Sequence, residues 1–172
     1  MSKLAIPWIP ATFTLSPMIG GFIGGIFVRK NIKGWYETLN RPSWRPPNYV
    51  FAPIWTTLYL GMGYASYLVY HNGGGFSGTA KIPLLLYASQ LVLNWAWSPL
   101  FFEFHQLKWS LIEICVLWVN VAGCITGFYR INKIAGYIMI PYLGWLSLAT
   151  SLTYSIYKNN PDISDKTIKD NK

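Results

Sequence analysis

WSLIEICVLWVNVAGCITGFY, residues 109–129, runs for 21 residues with Glu113 as its only formal charge. At 1.5 Å per residue, a helix of that length is about 30 Å long, the thickness of the hydrocarbon core of a bilayer. Four further stretches, 6–27, 49–70, 82–102 and 134–157, are as long and contain no Asp, Glu, Lys or Arg. Lipid offers no partner to a free backbone N–H or C=O, so only helices and closed barrels can cross it, and none of the five stretches alternates apolar with polar residues as a barrel strand does. The expected fold is all-α: an integral membrane bundle of five transmembrane helices over residues 1–158. Loop 28–48 is expected either to close over the bundle as a lid or to form an interfacial aromatic belt, and a polar, disordered cytosolic tail is expected at 159–172.

Composition agrees with that class. Charged residues make up 12% of the 172-residue chain, about half the share of an ordinary soluble domain. The mean hydropathy is only +0.28 because 9 Trp and 12 Tyr score poorly while being at home in membranes. The net charge of +8 forms no stripe; the cations flank the apolar runs as anchors, which argues against nucleic acid as a partner. An odd number of spans puts the termini on opposite sides. One side then holds Arg29, Lys30, Lys33, Arg41, Arg45, Lys108 and four tail lysines, the other only Lys3, Lys81, Arg130 and Lys133. That bias predicts a cytosolic first loop and C-terminus. Glu113, about one turn into its span, is expected to reach the interface. Cys115 and Cys124 point in different directions on one helix, so neither a disulfide framework nor a metal site is expected, and no cofactor. The first residues read as retained rather than as a cleaved signal. Short later loops predict that sequential spans pack as antiparallel neighbours.

The first loop contains GWYETLNRPSWRPPN, residues 34–48. Gly34–Leu39 suits one or two helical turns before the prolines impose extended backbone. Trp35, Tyr36 and Trp44 then sit on a stiff segment, with Arg41 and Arg45 offering cations to an acidic ligand or simply snorkelling. Helical spacing aligns Ala52, Trp55, Tyr59, Met62 and Ser66 in the second span, Gln90, Asn94, Trp97 and Phe101 in the third, and Pro141, Trp145, Ala149 and Leu152 in the fifth. Amides and indoles in hydrocarbon are costly unless satisfied, so these faces turn inward. Asn94 is then either an interhelical hydrogen-bonding group or a ligand contact. Gly20 with Gly24, Gly21 with Gly25, and Gly123 with Gly127 form small-residue motifs that suit an intrachain contact or a homodimer seam. Leu152, Tyr154 and Lys158 fit a weak proposed sterol-contact pattern. The only histidines, His71 and His105, fall at span ends, and no carboxylate pair, catalytic triad or phosphate loop is present. Acid–base catalysis is not expected.

Four segments, WYETLNRPSWRPP, APIWTTLY, QLVLNWAWSPLFF and IPYLGWLSLATSLTY, together carry a resemblance over residues 8–158 to the translocator protein family, also called peripheral-type benzodiazepine receptors or tryptophan-rich sensory proteins. The animal members look closer than the bacterial ones. The resemblance implies a five-helix bundle, often dimeric, in the mitochondrial outer membrane, with the first loop capping a pocket near its cytosolic end. It implies isoquinoline carboxamides, benzodiazepines, porphyrins and cholesterol as ligands. By position the pocket draws on Gly25, Val28, Arg45, Phe51, Ala52, Ile54, Trp55, Asn94, Trp97, Trp109, Val116, Trp145, Ala149 and Leu152, and the sterol motif on Leu152, Tyr154 and Lys158. Arg45 stands where mammalian members usually carry His, and Gly25 and Val116 where they carry Ala and Leu.

A receptor or carrier for hydrophobic ligands is the leading expectation. Two others stay open. Trp55 and Trp145 match tryptophans that some bacterial relatives use to degrade porphyrin in light, which keeps an enzyme in view. A membrane interaction scaffold with an incidental pocket is the third.

Overall fold

The computed structural model describes residues 8–163. It contains five long helices and one short one: α1 (Trp8–Asn31), α2 (Trp35–Thr38), α3 (Asn48–Asn72), α4 (Lys81–Ser98), α5 (Leu107–Ile131) and α6 (Lys133–Asn159). A single 3-10 turn, Gly75–Ser77, follows α3, and a π turn, Pro99–Glu103, extends α4. The long helices lie where the sequence predicts spans; α1, α3, α5 and α6 are a few residues longer than the uncharged runs because polar and charged ends continue the helix, while α4 stops at Ser98, where the π turn takes over. Three of them, α1, α5 and α6, are long and apolar enough to cross a membrane. In α3 five tyrosines lower the hydropathy, and in α4 Gln90, Asn94 and two tryptophans do the same. Most of the tail expected to be disordered lies outside the described residues; within them, residues 161–163 are helical.

The helices close into a ring in the order α1, α3, α6, α5, α4 and back to α1. One expectation fails here: α3 and α4 follow each other in sequence but touch only lightly. Eight residues, 73–80, join them, and such a connection reaches across about 25 Å when extended, so nothing forces its helices side by side. Its course depends on glycine: Gly74 and Gly75 take φ of 76° and 68°, a region closed to most side chains.

Small residues set the closest approaches. A Cβ on Gly20 would sit 2.1 Å from the Trp95 ring, one on Gly21 2.6 Å from Tyr59, and one on Gly24 3.0 Å from the Ser98 hydroxyl. These glycines of α1 are therefore taken up against α3 and α4 within the chain. Gly127 packs on Pro83, whereas Gly25 and Gly123 have nothing within 4 Å of an added Cβ. Inside the ring, a buried polar chain joins three helices. The Tyr59 hydroxyl donates to Asn94 Oδ1 at 2.6 Å, Asn94 Nδ2 donates to the Tyr142 hydroxyl at 2.9 Å, and that hydroxyl donates to Gln90 Oε1 at 3.0 Å. Asn94 is thus an interhelical hydrogen-bonding group, whatever else it touches. At the start of α6 the Asn132 side chain accepts from Ala135 N, satisfying an otherwise free helix-end amide.

Glu113 corrects a second expectation. It is the seventh residue of α5, and both its carboxyl oxygens are buried with no hydrogen-bond partner among the described residues. Packing around α5 encloses the carboxyl oxygens, although the residue as a whole is only partly buried.

Candidate functional site

The ring opens into a cavity of about 440 Å³ at the end that carries α2, within the roughly 300–1,000 Å³ typical of small-molecule sites. Every long helix contributes, because the spacing of each inward face brings one side chain per turn to the same level. From α3 come Phe51, Ala52, Trp55 and Tyr59; from α4 and its π turn Asn94, Trp97, Phe101 and Phe102; from α6 Trp145, Ala149 and Leu152. Gly25 and Val28 of α1 complete the wall. The rings interlock: Trp97 stacks on Phe101 at 4.9 Å, and Phe51 meets the edge of Trp145 at 5.5 Å.

Two polar atoms lie unpaired behind this mostly apolar wall. The indole N–H groups of Trp97 and Trp145 are buried and find no acceptor among the described residues. A buried donor left unpaired costs about 1–3 kcal/mol, a cost these two rings carry where they pack behind the cavity surface.

The lid is held on one side. Lys30 Nζ lies 2.6 Å from Glu103 Oε1, and Asn31 donates to the same carboxylate at 3.3 Å. These bonds hold the Glu103 carboxyl below its ordinary value, the hydrogen bond from Lys30 acting most strongly. Trp35 stacks on His105 with centroids 4.0 Å apart, and burial holds that imidazole below its ordinary pKa. Asn40 and Asn160 exchange two hydrogen bonds, 2.9 and 3.1 Å long, tying the lid to the end of α6. Tyr36 is buried against Phe102 and lines the cavity. Burial pushes its phenol above the ordinary value, against the pull of Arg45 and Arg41.

Several residues named from the sequence lie elsewhere. Trp109 and Val116 are on the outer face of α5, 53% and 51% exposed, and neither lines the cavity. The inner face of that helix is Ser110, Ile114, Leu117, Val121 and Cys124, and Val116 lies about 200° around the helix from Ile114. Ile54 packs against the core beside the cavity without lining it. Arg45 bonds the Asn48 side chain and lies over the Tyr36 ring at 5.8 Å, so its guanidinium is engaged above the cavity rather than in it. The cation at the cavity is Arg29, which sequence reasoning assigned only to the charge count. Ile114, Leu117, Tyr36 and Phe102 were also missed as wall residues; for the α5 pair, the spacing with Val121 and Cys124 was the available signal. The sterol triplet is divided: Leu152 faces the cavity, while Tyr154 and Lys158 are exposed on the outside of α6.

Comparison with known proteins places this architecture. The TspO/MBR family model matches residues 13–158. The Translocator protein of Homo sapiens is 43% identical over 158 residues, covering 91% of this chain and 94% of that protein. That of Sus scrofa is 44% identical over the same extent. The Tryptophan-rich protein TspO of Chlorobaculum tepidum is 36% identical over 141 residues, covering 82% and 89%. With the match spanning all five long helices and the lid, the chain belongs to the TspO/MBR family, whose members are membrane proteins.

Proposed function

We propose that this protein is a receptor or carrier that binds a flat, mostly apolar ligand with acceptor atoms at its edge, porphyrin above all, in the cavity under the lid. The observation that carries the reading is a cavity of about 440 Å³ walled by the rings of Phe51, Trp55, Trp97, Phe101 and Trp145, with Arg29 the single cation in its lining among the described residues. Burying a few hundred square ångströms of ring at roughly 25 cal/mol per Å² yields several kcal/mol, sufficient for micromolar affinity after association costs. Isoquinoline carboxamides and benzodiazepines carry suitable carbonyls and suit the same cavity. Cholesterol is assigned to the outer face of α6 at Tyr154 and Lys158. On this reading all five long helices cross the mitochondrial outer membrane, with the lid and C-terminus cytosolic, as the distribution of Lys and Arg favours.

The test is a titration of the protein in nanodiscs with protoporphyrin, read by tryptophan quenching in the wild type and in Trp145→Phe. Saturable quenching that weakens in the variant is expected; its absence in the wild type refutes the reading. Trp55 also lines the cavity beside Trp145, so illumination of the same sample checks the enzymatic alternative: steady formation of a defined product would favour it over simple binding.

A further inference from the structure

α1 and α3 touch closely only along the half remote from the lid. There a Cβ on Gly63 would fall 2.5 Å from the Thr14 carbonyl oxygen and 2.6 Å from that of Phe13. The Phe13 ring also rests 5.0 Å from Tyr70. Tight packing continues as far as Gly21 against Tyr59 and then stops, since a Cβ on Gly25 would meet nothing within 4 Å.

Beyond that point the two helices present facing rails. Phe22, Ile26 and Arg29 follow one another along one edge of α1, and Thr56, Ala52 and Asn48 along one edge of α3, the spacing that keeps side chains on a single helix face. All six line the cavity, and all six are exposed on the outer surface, Phe22 at 71% and Ile26 at 64%. A residue that belongs to both surfaces sits at a mouth. Phe22 lies nine residues before the end of α1 at Asn31, about 13 Å along the helix axis. The mouth therefore runs from the level of the lid to nearly the middle of a hydrocarbon core about 30 Å thick. The lid is pinned away from this slit, through Trp35–His105 and Asn40–Asn160.

We propose that the slit between α1 and α3 is a lateral portal by which a flat apolar ligand dissolved in the bilayer enters the cavity, its acidic edge guided by Arg29 at the lid end. The inference rests on the binding reading above. A ligand of this kind partitions into lipid, and the slit meets lipid with Phe22, Ile26 and Ala52 on its rails, whereas the lid route requires breaking a ring stack and two hydrogen bonds.

A gate differs from a site in its kinetics: obstructing it slows entry and exit alike and leaves the equilibrium unchanged. The experiment uses the full chain in nanodiscs with Cys115→Ser and either Ile26→Cys with Ala52→Cys or Asn40→Cys with Asn160→Cys, each pair joined by a short cleavable dithiol-reactive linker. Protoporphyrin association and dissociation are followed by stopped-flow tryptophan quenching. Linking the slit should slow both rates by roughly tenfold or more with Kd within about twofold, and cleaving the linker should restore them; linking the lid should change neither. Slowing by the lid link alone, or a changed Kd with an unchanged association rate on linking the slit, overturns the portal. Failure of the unlinked protein to bind protoporphyrin at all overturns the binding function, and the portal with it.

Discussion

Replacing Tyr142 by Phe removes one oxygen from the centre of the bundle and leaves the ring. That oxygen accepts from Asn94 Nδ2 at 2.9 Å and donates to Gln90 Oε1 at 3.0 Å, and both partners are buried. Interhelical hydrogen bonds within membranes contribute about 0.6 kcal/mol on average and up to about 1.7, so losing two costs about 1–3 kcal/mol, the higher end applying if Gln90 Oε1 finds no new donor. The folding equilibrium falls by roughly 5- to 150-fold. Reversible unfolding in mixed micelles with a rising fraction of denaturing detergent reads this directly. Tyr59→Phe, which loses only the bond to Asn94 Oδ1, should cost about half as much, and Tyr49→Phe, at an exposed ring, nothing measurable. In a Gln90→Leu background the cost of Tyr142→Phe should shrink, because one of its two bonds is already gone. Wild-type stability in Tyr142→Phe, or full additivity with Gln90→Leu, would refute the network as a structural element.

Trp145→Ala combined with Trp55→Ala should weaken porphyrin binding more than sterol binding, and Tyr154→Ala the reverse; parallel losses for both ligands in nanodisc titrations would refute separate sites. Ala149→Trp should fill the cavity and lower protoporphyrin affinity at least about tenfold while circular dichroism stays unchanged; undiminished affinity would move the site elsewhere. Gly20→Leu should reduce folded yield sharply because its side chain meets the Trp95 ring, whereas Gly25→Ala should be tolerated and, by helix propensity, stabilise by up to about 1 kcal/mol. Because His105 is held below its usual value of 6.5, chiefly by burial, the folded state takes up its proton later than the unfolded chain. Its contribution to the lid latch is complete above that value and is lost as pH falls through the lower, folded-state pKa. Protection factors of the amides in residues 35–40, which remove the intrinsic slowing of exchange by acid, should fall on acidification in the wild type and less in His105→Gln; the same fall in both would exclude His105 as its source.

How much was legible without coordinates depended on which contrast the residues carry. The proline-rich first loop announced a break between helices, whereas the π turn at Pro99 fell unannounced inside the expected span 82–102; the amides Gln90 and Asn94 announced an inward face, because a polar group in hydrocarbon must be paired somewhere. Trp109, Val116 and Ile54 carried no such contrast. The outer face of α5, with Ile112, Val116 and Val119, is as apolar as its inner face, with Ile114, Leu117 and Val121, so periodicity could not tell core from lipid. Arg29 was hidden for the opposite reason, since a cation at a span end reads as an anchor whether or not a cavity lies beside it.

By itself, then, the sequence determined a helical membrane protein with an aromatic, proline-rich first loop, since uncharged runs of about 20 residues with internally paired backbones permit little else. Tertiary structure alone decided the order of helices around the ring, the assignment of Gly20, Gly21 and Gly24 to contacts within the chain, the parting of Leu152 from Tyr154 and Lys158, and the slit beside Gly25. The physical reason is common to all four. Hydrocarbon and a protein interior solvate an apolar side chain almost equally well, so which face of a helix meets which neighbour is set by shape and close packing, and those exist only once the chain is assembled.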